Sequence, residues 1–121
     1  WQARVAEWIT SEESKLQNRH LIAQNCCNFV YPMKQTIAGV SVVNFHYAYP
    51  QAAVLNYGLG KALSYDETGF LGREDEKYAR QAWNFMLSGG GVFDNLDYSF
   101  SVGHEDGKDL EPNGRENKEV H

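Results

Sequence analysis

The chain predicts an α/β fold made of parallel β/α units, and three observations point there. Amphipathic helical segments alternate with apolar extended ones along the 121 residues. The central extended segment, VSVVNFHYA at 40–48, is β-branched and aromatic without clean alternation, which suits a strand buried on both faces of a parallel sheet. Proline and glycine punctuate the joins. Alternation of this kind implies parallel strands linked by right-handed crossovers. With 42% hydrophobic and 13% aromatic residues, the chain can bury one core without disulfides or a metal.

The first helix is expected from Trp1, Val5, Trp8, Ile9 and Leu16, apolar positions at helical spacing, with Ser11, Glu12, Glu13, Lys15, Gln17 and Asn18 on the polar side. HLIAQNCCNF, 20–29, reads as the first strand. The connection at 30–39 is near the minimum for a parallel crossover, so a hairpin stays open there. After the strand at 40–48, Pro50 starts a short helix that Gly58 would cap. KALSYDETGF, 61–70, is the third strand. REDEKYARQAWNFMLSGGG is the clearest helix, with acids in its first turn, with Tyr78, Ala82, Phe85 and Met86 on one face, and with Gly89–Gly91 as its stop. Trp83 is expected to pack against the body of the fold. VFDNLDYSFSV, 92–102, is the last strand. Residues 1–102 form the structured domain, and residues 103–121 a polar loop or tail.

A formal charge of −5 argues against a phosphate-backbone binder, because no basic stripe exists to neutralise phosphates. No apolar run approaches the roughly 20 residues of a membrane span, and no signal peptide is visible. Cys26 and Cys27 are adjacent, which disfavours a mutual disulfide and fits no zinc spacing; they read as buried small residues of a strand. SGGGVF lacks the spacing of a phosphate loop and suits a helix stop. Glu105, Asp106 and Asp109 lack the spacing of a calcium loop. No metal and no cofactor is implied. The chain begins at Trp1 rather than methionine and is expected to be a piece of something longer.

In parallel α/β folds ligands meet the C-terminal ends of the strands. The first strand would deliver Gln24, Asn25 and Asn28 there, the second Asn44, His46, Tyr47 and Tyr49. The third would deliver Tyr65, Asp66 and Glu67, and the fourth Asp94, Asn95, Asp97 and Tyr98. Aromatic platforms beside carboxylates and amides suit a sugar, whose ring has apolar C–H faces and a hydroxyl edge. In DETG, a carboxylate at a strand end close to glycine can project as nucleophile or general base. The bland alternative is a solvated turn, and for His46 a structural histidine. Alternating residues point to opposite faces, so His46 belongs with Val42 and Asn44 on the inner side and Phe45 with Val43 on the helix side. By the same rule Asp66 and Glu67 would point apart.

Taken in order, NFHYAYP, SYDETGF and YARQAWNFMLSGGGVFDNLDYSF resemble the last strands of a (β/α)8-barrel glycoside hydrolase, of the clan that uses two glutamates with retention. The resemblance spans residues 1–102. It implies the C-terminal half of the barrel, strands five to eight, with Glu67 in the nucleophile position, assisted by His46 and Tyr47. It also implies sugar contacts for Asn25, Asn44, Tyr49, Asp66 and Asp97. The acid/base glutamate of that clan follows an asparagine at the fourth strand, and no such pair occurs here. Retention needs two carboxyls about 5 to 5.5 Å apart. The tryptophan often found at the eighth strand is replaced by Phe93 or Tyr98. The expected partners are a carbohydrate and the missing N-terminal half of the barrel, or another copy of the chain. The expected compartment is extracellular or periplasmic. Two other readings stand beside this one: a non-catalytic carbohydrate-binding or structural domain, and an independent small α/β domain in which DETG is a turn.

Overall fold

A computed structural model describes residues 1–27, 32–68 and 75–94. The expectations for Asn28, Asn95, Asp97 and Tyr98, and for the segment from Gly103 onward, lie outside those residues. In chain order the elements are α1 (Gln2–Glu12, then a 3-10 turn at Glu13–Lys15), β1 (Ala23–Cys27), β2 (Val42–His46), α2 (Gln51–Asn56, then a 3-10 turn at Tyr57–Leu59), β3 (Ala62–Glu67), α3 (Asp75–Leu87) and β4 (Val92–Phe93). The four strands form one sheet in the order β1-β2-β3-β4, and every neighbouring pair is parallel. The protein is therefore of the α/β class.

Sequential order without reversal gives the sheet two different faces. Val43 and Phe45 of β2 and Leu63 and Tyr65 of β3 cluster with Ala48, with Ala52 and Ala53 of α2 and with Phe85 of α3, all buried. This is the helix-covered face and the core. The opposite face carries Ala23, Asn25, Ala62 and Val92, which are exposed, with Asn44 and Ser64 buried between them. β2 is buried through Val43, Asn44 and Phe45, as a central strand should be.

The connection between β1 and β2 does not form a hairpin, because Ala23–Cys27 pairs in parallel with Val42–His46. A side chain holds the crossover down. Buried Asn56 accepts from the Met33 backbone N–H at 2.6 Å and donates to the Ala52 carbonyl at 2.8 Å. Met33 packs against the core cluster.

α1 buries a narrower stripe than its apolar spacing suggested. Ala6 is its one buried residue, while Trp1 and Trp8 are 93% and 64% exposed and Leu16 lies beyond the helix. Small side chains decide the contact. Thr10 bonds back to the Ala6 carbonyl, and Gly39 approaches so closely that a Cβ there would stand 2.7 Å from Thr10 Oγ1. α3 shows a similar correction. Phe85 is fully buried, but Trp83 is 68% exposed and Met86 is also exposed. At 3.6 residues per turn, Trp83 points about 160° away from Phe85, so the same helix cannot bury both.

The α3 stop has the Schellman pattern. Gly90 N–H donates to the Phe85 carbonyl at 3.0 Å and Gly89 N–H to the Met86 carbonyl at 3.1 Å, with Gly89 at φ +98°. Gly91 then donates to the Leu63 carbonyl at 2.8 Å, which delivers the chain into β4. At α2 the left-handed cap falls on Gly60 rather than Gly58, because a 3-10 turn extends the helix first.

Candidate functional site

The C-terminal ends of β2 and β3 meet at one irregularity. Phe45 stands opposite Tyr65, but the next partner of His46 is Glu67, so Asp66 is an extra residue in β3. This bulge cancels the alternation that would have sent Asp66 and Glu67 to opposite faces. Both carboxylates reach the same imidazole: Asp66 Oδ1 lies 3.1 Å from His46 Nε2, and Glu67 Oε2 lies 2.8 Å from His46 Nδ1.

Tyr47 enters from the end of β2. Its φ of +51° is the left-handed conformation that a non-glycine residue adopts at a cost of about 1–2 kcal/mol. Strict alternation would have placed it with Val43 and Phe45. The turn instead swings its ring toward the rim, where the hydroxyl donates to Glu67 Oε1. Its backbone N–H donates to the Glu67 carbonyl at 2.9 Å, so the tyrosine is fixed to β3 at both ends. The His46 and Tyr47 rings meet edge to face at 6.4 Å. The phenol thus hydrogen-bonds one oxygen of Glu67, and the imidazole stands beside the other.

On the inner face, Asn44 Nδ2 donates to Asn25 Oδ1 at 3.0 Å and lies 3.2 Å from His46 Nε2. Asn44 Oδ1 is buried and has no hydrogen-bond partner among the described residues. Tyr49 is exposed near the rim, just before Pro50. Of the anticipated site residues, Glu67, His46, Tyr47, Asp66, Asn44 and Asn25 therefore form one connected group. Tyr49 stands apart from its hydrogen bonds.

Beneath this group, Tyr65 ties three segments together. Its hydroxyl donates to the Ala48 carbonyl and accepts from Gln81 Nε2 at 2.9 Å, and Thr68 bonds Gln81 in turn. Burial raises the Tyr65 phenol above its ordinary range, the hydrogen bonds with Thr68 and Gln81 acting against it. Cys26 points to the helix side beside Met33 and the Asn44 carbonyl. Burial, with a smaller contribution from Cys27, pushes its thiol up to about 11. Cys27 is exposed instead of buried, because its position in β1 puts it on the face opposite the helices, directly across from His46.

Nothing in the residue types foretold the Tyr65–Gln81–Thr68 support or the role of the bulge. The one legible signal was the doubled acid at a strand end. Among the described residues, no cluster of three histidine, cysteine or carboxylate side chains is arranged to hold a metal ion. The open grooves along α1, of about 380 and 790 Å³, are lined by residues such as Glu7, Trp8 and Thr36, not by the Glu67 group. No family model, curated protein or solved structure matches the chain.

Proposed function

We propose that this chain supplies the nucleophile-side half of a retaining glycoside hydrolase site, strands five to eight of a (β/α)8 barrel, and is inactive alone. The observation that carries the reading is Glu67 at the end of β3, held through one oxygen by Tyr47 and through the other by His46. Four parallel strands in sequential order, with the helix-side core on one face and a partly exposed, partly polar opposite face among the described residues, also fit half of a closed barrel.

In this reading a Glu67 oxygen attacks the anomeric carbon. The C1–O bond to the leaving group breaks, and a carboxylic acid outside this chain protonates that oxygen. Water then displaces Glu67 with the same outside group as base. Tyr47 and His46 orient the carboxylate for attack and stabilise its charge when it departs. Asn25 offers an amide toward sugar hydroxyls with buried Asn44 bonded to it from beneath, Tyr49 offers an apolar ring face, and Asp97 belongs to the same set by position in the sequence. No cofactor enters the scheme. The partners are a carbohydrate and the N-terminal half of the barrel, and an extracellular or periplasmic setting suits such a substrate.

Trapping with a 2-fluoro sugar in a longer protein that contains this chain, followed by mass mapping, is expected to label the peptide bearing Glu67. A label on any other carboxylate would sink the assignment. One observation favours a non-catalytic carbohydrate-binding role instead: Asp66, the second rim carboxylate, is occupied by His46. Sugar binding that survives Glu67→Gln in a parent showing no hydrolysis would decide for that role.

A further inference from the structure

We infer that Gln81 of α3 is a positioning residue, whose amide fastens the backbone just after Tyr47 to the residue just after Glu67 and so holds the phenol on the carboxylate. This inference rests on the reading of Glu67 as nucleophile and places one of its supports on a helix, away from the rim.

One backbone carbonyl sets the direction of every bond in the relay. The Ala48 carbonyl can only accept, so the Tyr65 hydroxyl gives its one proton there. The same Tyr65 oxygen must then accept from its other neighbour, and Gln81 Nε2 donates to it at 2.9 Å. With its nitrogen committed, the amide turns Oε1 toward Thr68, whose hydroxyl donates. Reversing the amide would set Oε1 against a Tyr65 oxygen with no proton left to offer. The Gln81 side chain therefore works in one orientation only, a demand that filling space would not make.

The ends of this relay lie beside the proposed nucleophile and its phenol. Ala48 follows Tyr47 and Thr68 follows Glu67, and Ala48, Tyr65 and Thr68 are all buried. Tyr47 has a φ of +51°, so the backbone on both sides of it must be held if its hydroxyl is to stay on Glu67 Oε1. On one side its N–H donates to the Glu67 carbonyl, and on the other the Tyr65 hydroxyl grips the Ala48 carbonyl. Gln81 lies about one helical turn before Phe85, the buried anchor of α3, whose ring packs on that of Tyr65 at 5.5 Å. The core thus fixes the helix, and the amide carries that fixed point to the ends of β2 and β3.

Carbon-13 NMR of the Glu67 carboxyl in the 121-residue chain, with the signal identified by Glu67→Gln, tests this directly. Tyr47→Phe sets the shift expected when the phenol's hydrogen bond is lost. Gln81→Leu keeps the bulk and removes both polar ends. It is expected to move the signal part of the way in the same direction, and to add nothing in the Tyr47→Phe background. Thr68→Val, an isosteric change at the other end of the amide, should do likewise, and it decides the matter if Gln81→Leu does not fold. In the longer parent, Gln81→Leu should slow release of the sugar from labelled Glu67 by about tenfold, less than removal of the phenol, because the donor is loosened instead of lost. Combined with Tyr47→Phe the two losses should not multiply, as independent effects would. A Glu67 signal unmoved by both variants, or losses that multiply, would overturn the inference. If the signal responds as described but Glu67 takes no label, the positioning role stands and the nucleophile assignment falls.

Discussion

At the scale of single residues, Tyr47 is the position where conformation and chemistry meet. A phenol in the left-handed region spends backbone energy to reach a carboxylate, and strain of this kind gathers at sites where orientation matters. Tyr47→Phe keeps the ring and removes the donor. It is expected to slow release of the sugar from labelled Glu67 by about 100-fold, the usual loss for one hydrogen bond aimed at developing charge, while leaving the unfolding temperature nearly unchanged. An equal loss of folding stability would mean that the hydroxyl serves the fold instead.

The cysteines give a second residue-scale expectation. The Cys26 thiol, pushed up to about 11 from its ordinary 9.0, keeps its proton where the unfolded chain has released it. The folded state then binds more protons than the unfolded one. Its stability is intact below about 9 and declines as pH rises toward about 11. Urea midpoints across that range should fall, and Cys26→Ser should remove most of the decline. Iodoacetamide at neutral pH should modify exposed Cys27 first, which peptide mapping would show.

At the scale of elements, Tyr65 and the α3 stop hold the rim in place. Tyr65→Phe deprives the Ala48 carbonyl of its donor and leaves Gln81 Nε2 without its acceptor. The expected cost is about 1–3 kcal/mol in denaturant unfolding. Gly90→Ala would set a Cβ 2.1 Å from the Phe85 ring, so Phe85 must leave its rotamer, and a loss of about 1–3 kcal/mol is expected. The elements were largely legible in the chain. The parallel sheet follows from the alternation of elements, the Pro50 helix start and the glycine stop from local chemistry, and the shared phase of Asn44 and His46 from strand geometry. The departures have identifiable physics. Trp83 and Trp8 are apolar at helical spacing, but spacing names a face without saying which neighbour arrives: small Ala6 and Gly39 make the α1 contact, and Phe85 makes that of α3. The bulge at Asp66 and the left-handed Tyr47 depend on how two strands register, which neither strand states alone. For this reason the acids were expected to diverge and instead share a ring.

At the scale of the whole molecule, the two faces of the sheet are unequally packed among the described residues. Opposite the helices Ala23, Asn25, Ala62 and Val92 are exposed while Asn44 and Ser64 are buried, and exposed Trp83 and Leu87 add apolar surface on α3. Such a body gains by covering itself. Light scattering of the isolated chain is expected to give a mass above that of the monomer, and supply of the complementary half-barrel should lower it. A well-behaved monomer with one cooperative transition would favour a self-sufficient small α/β domain. The sequential strand order has a further consequence, for the timing of synthesis. Among the described strands each pairs with its neighbours in sequence, and His46 and Glu67 are separated by one β/α unit. Loops that short close at little entropic cost. The hydrogen-bonded carboxylate group can therefore come together on a nascent chain while β4 is still inside the ribosome, so the rim is older, in the life of each molecule, than the sheet that frames it.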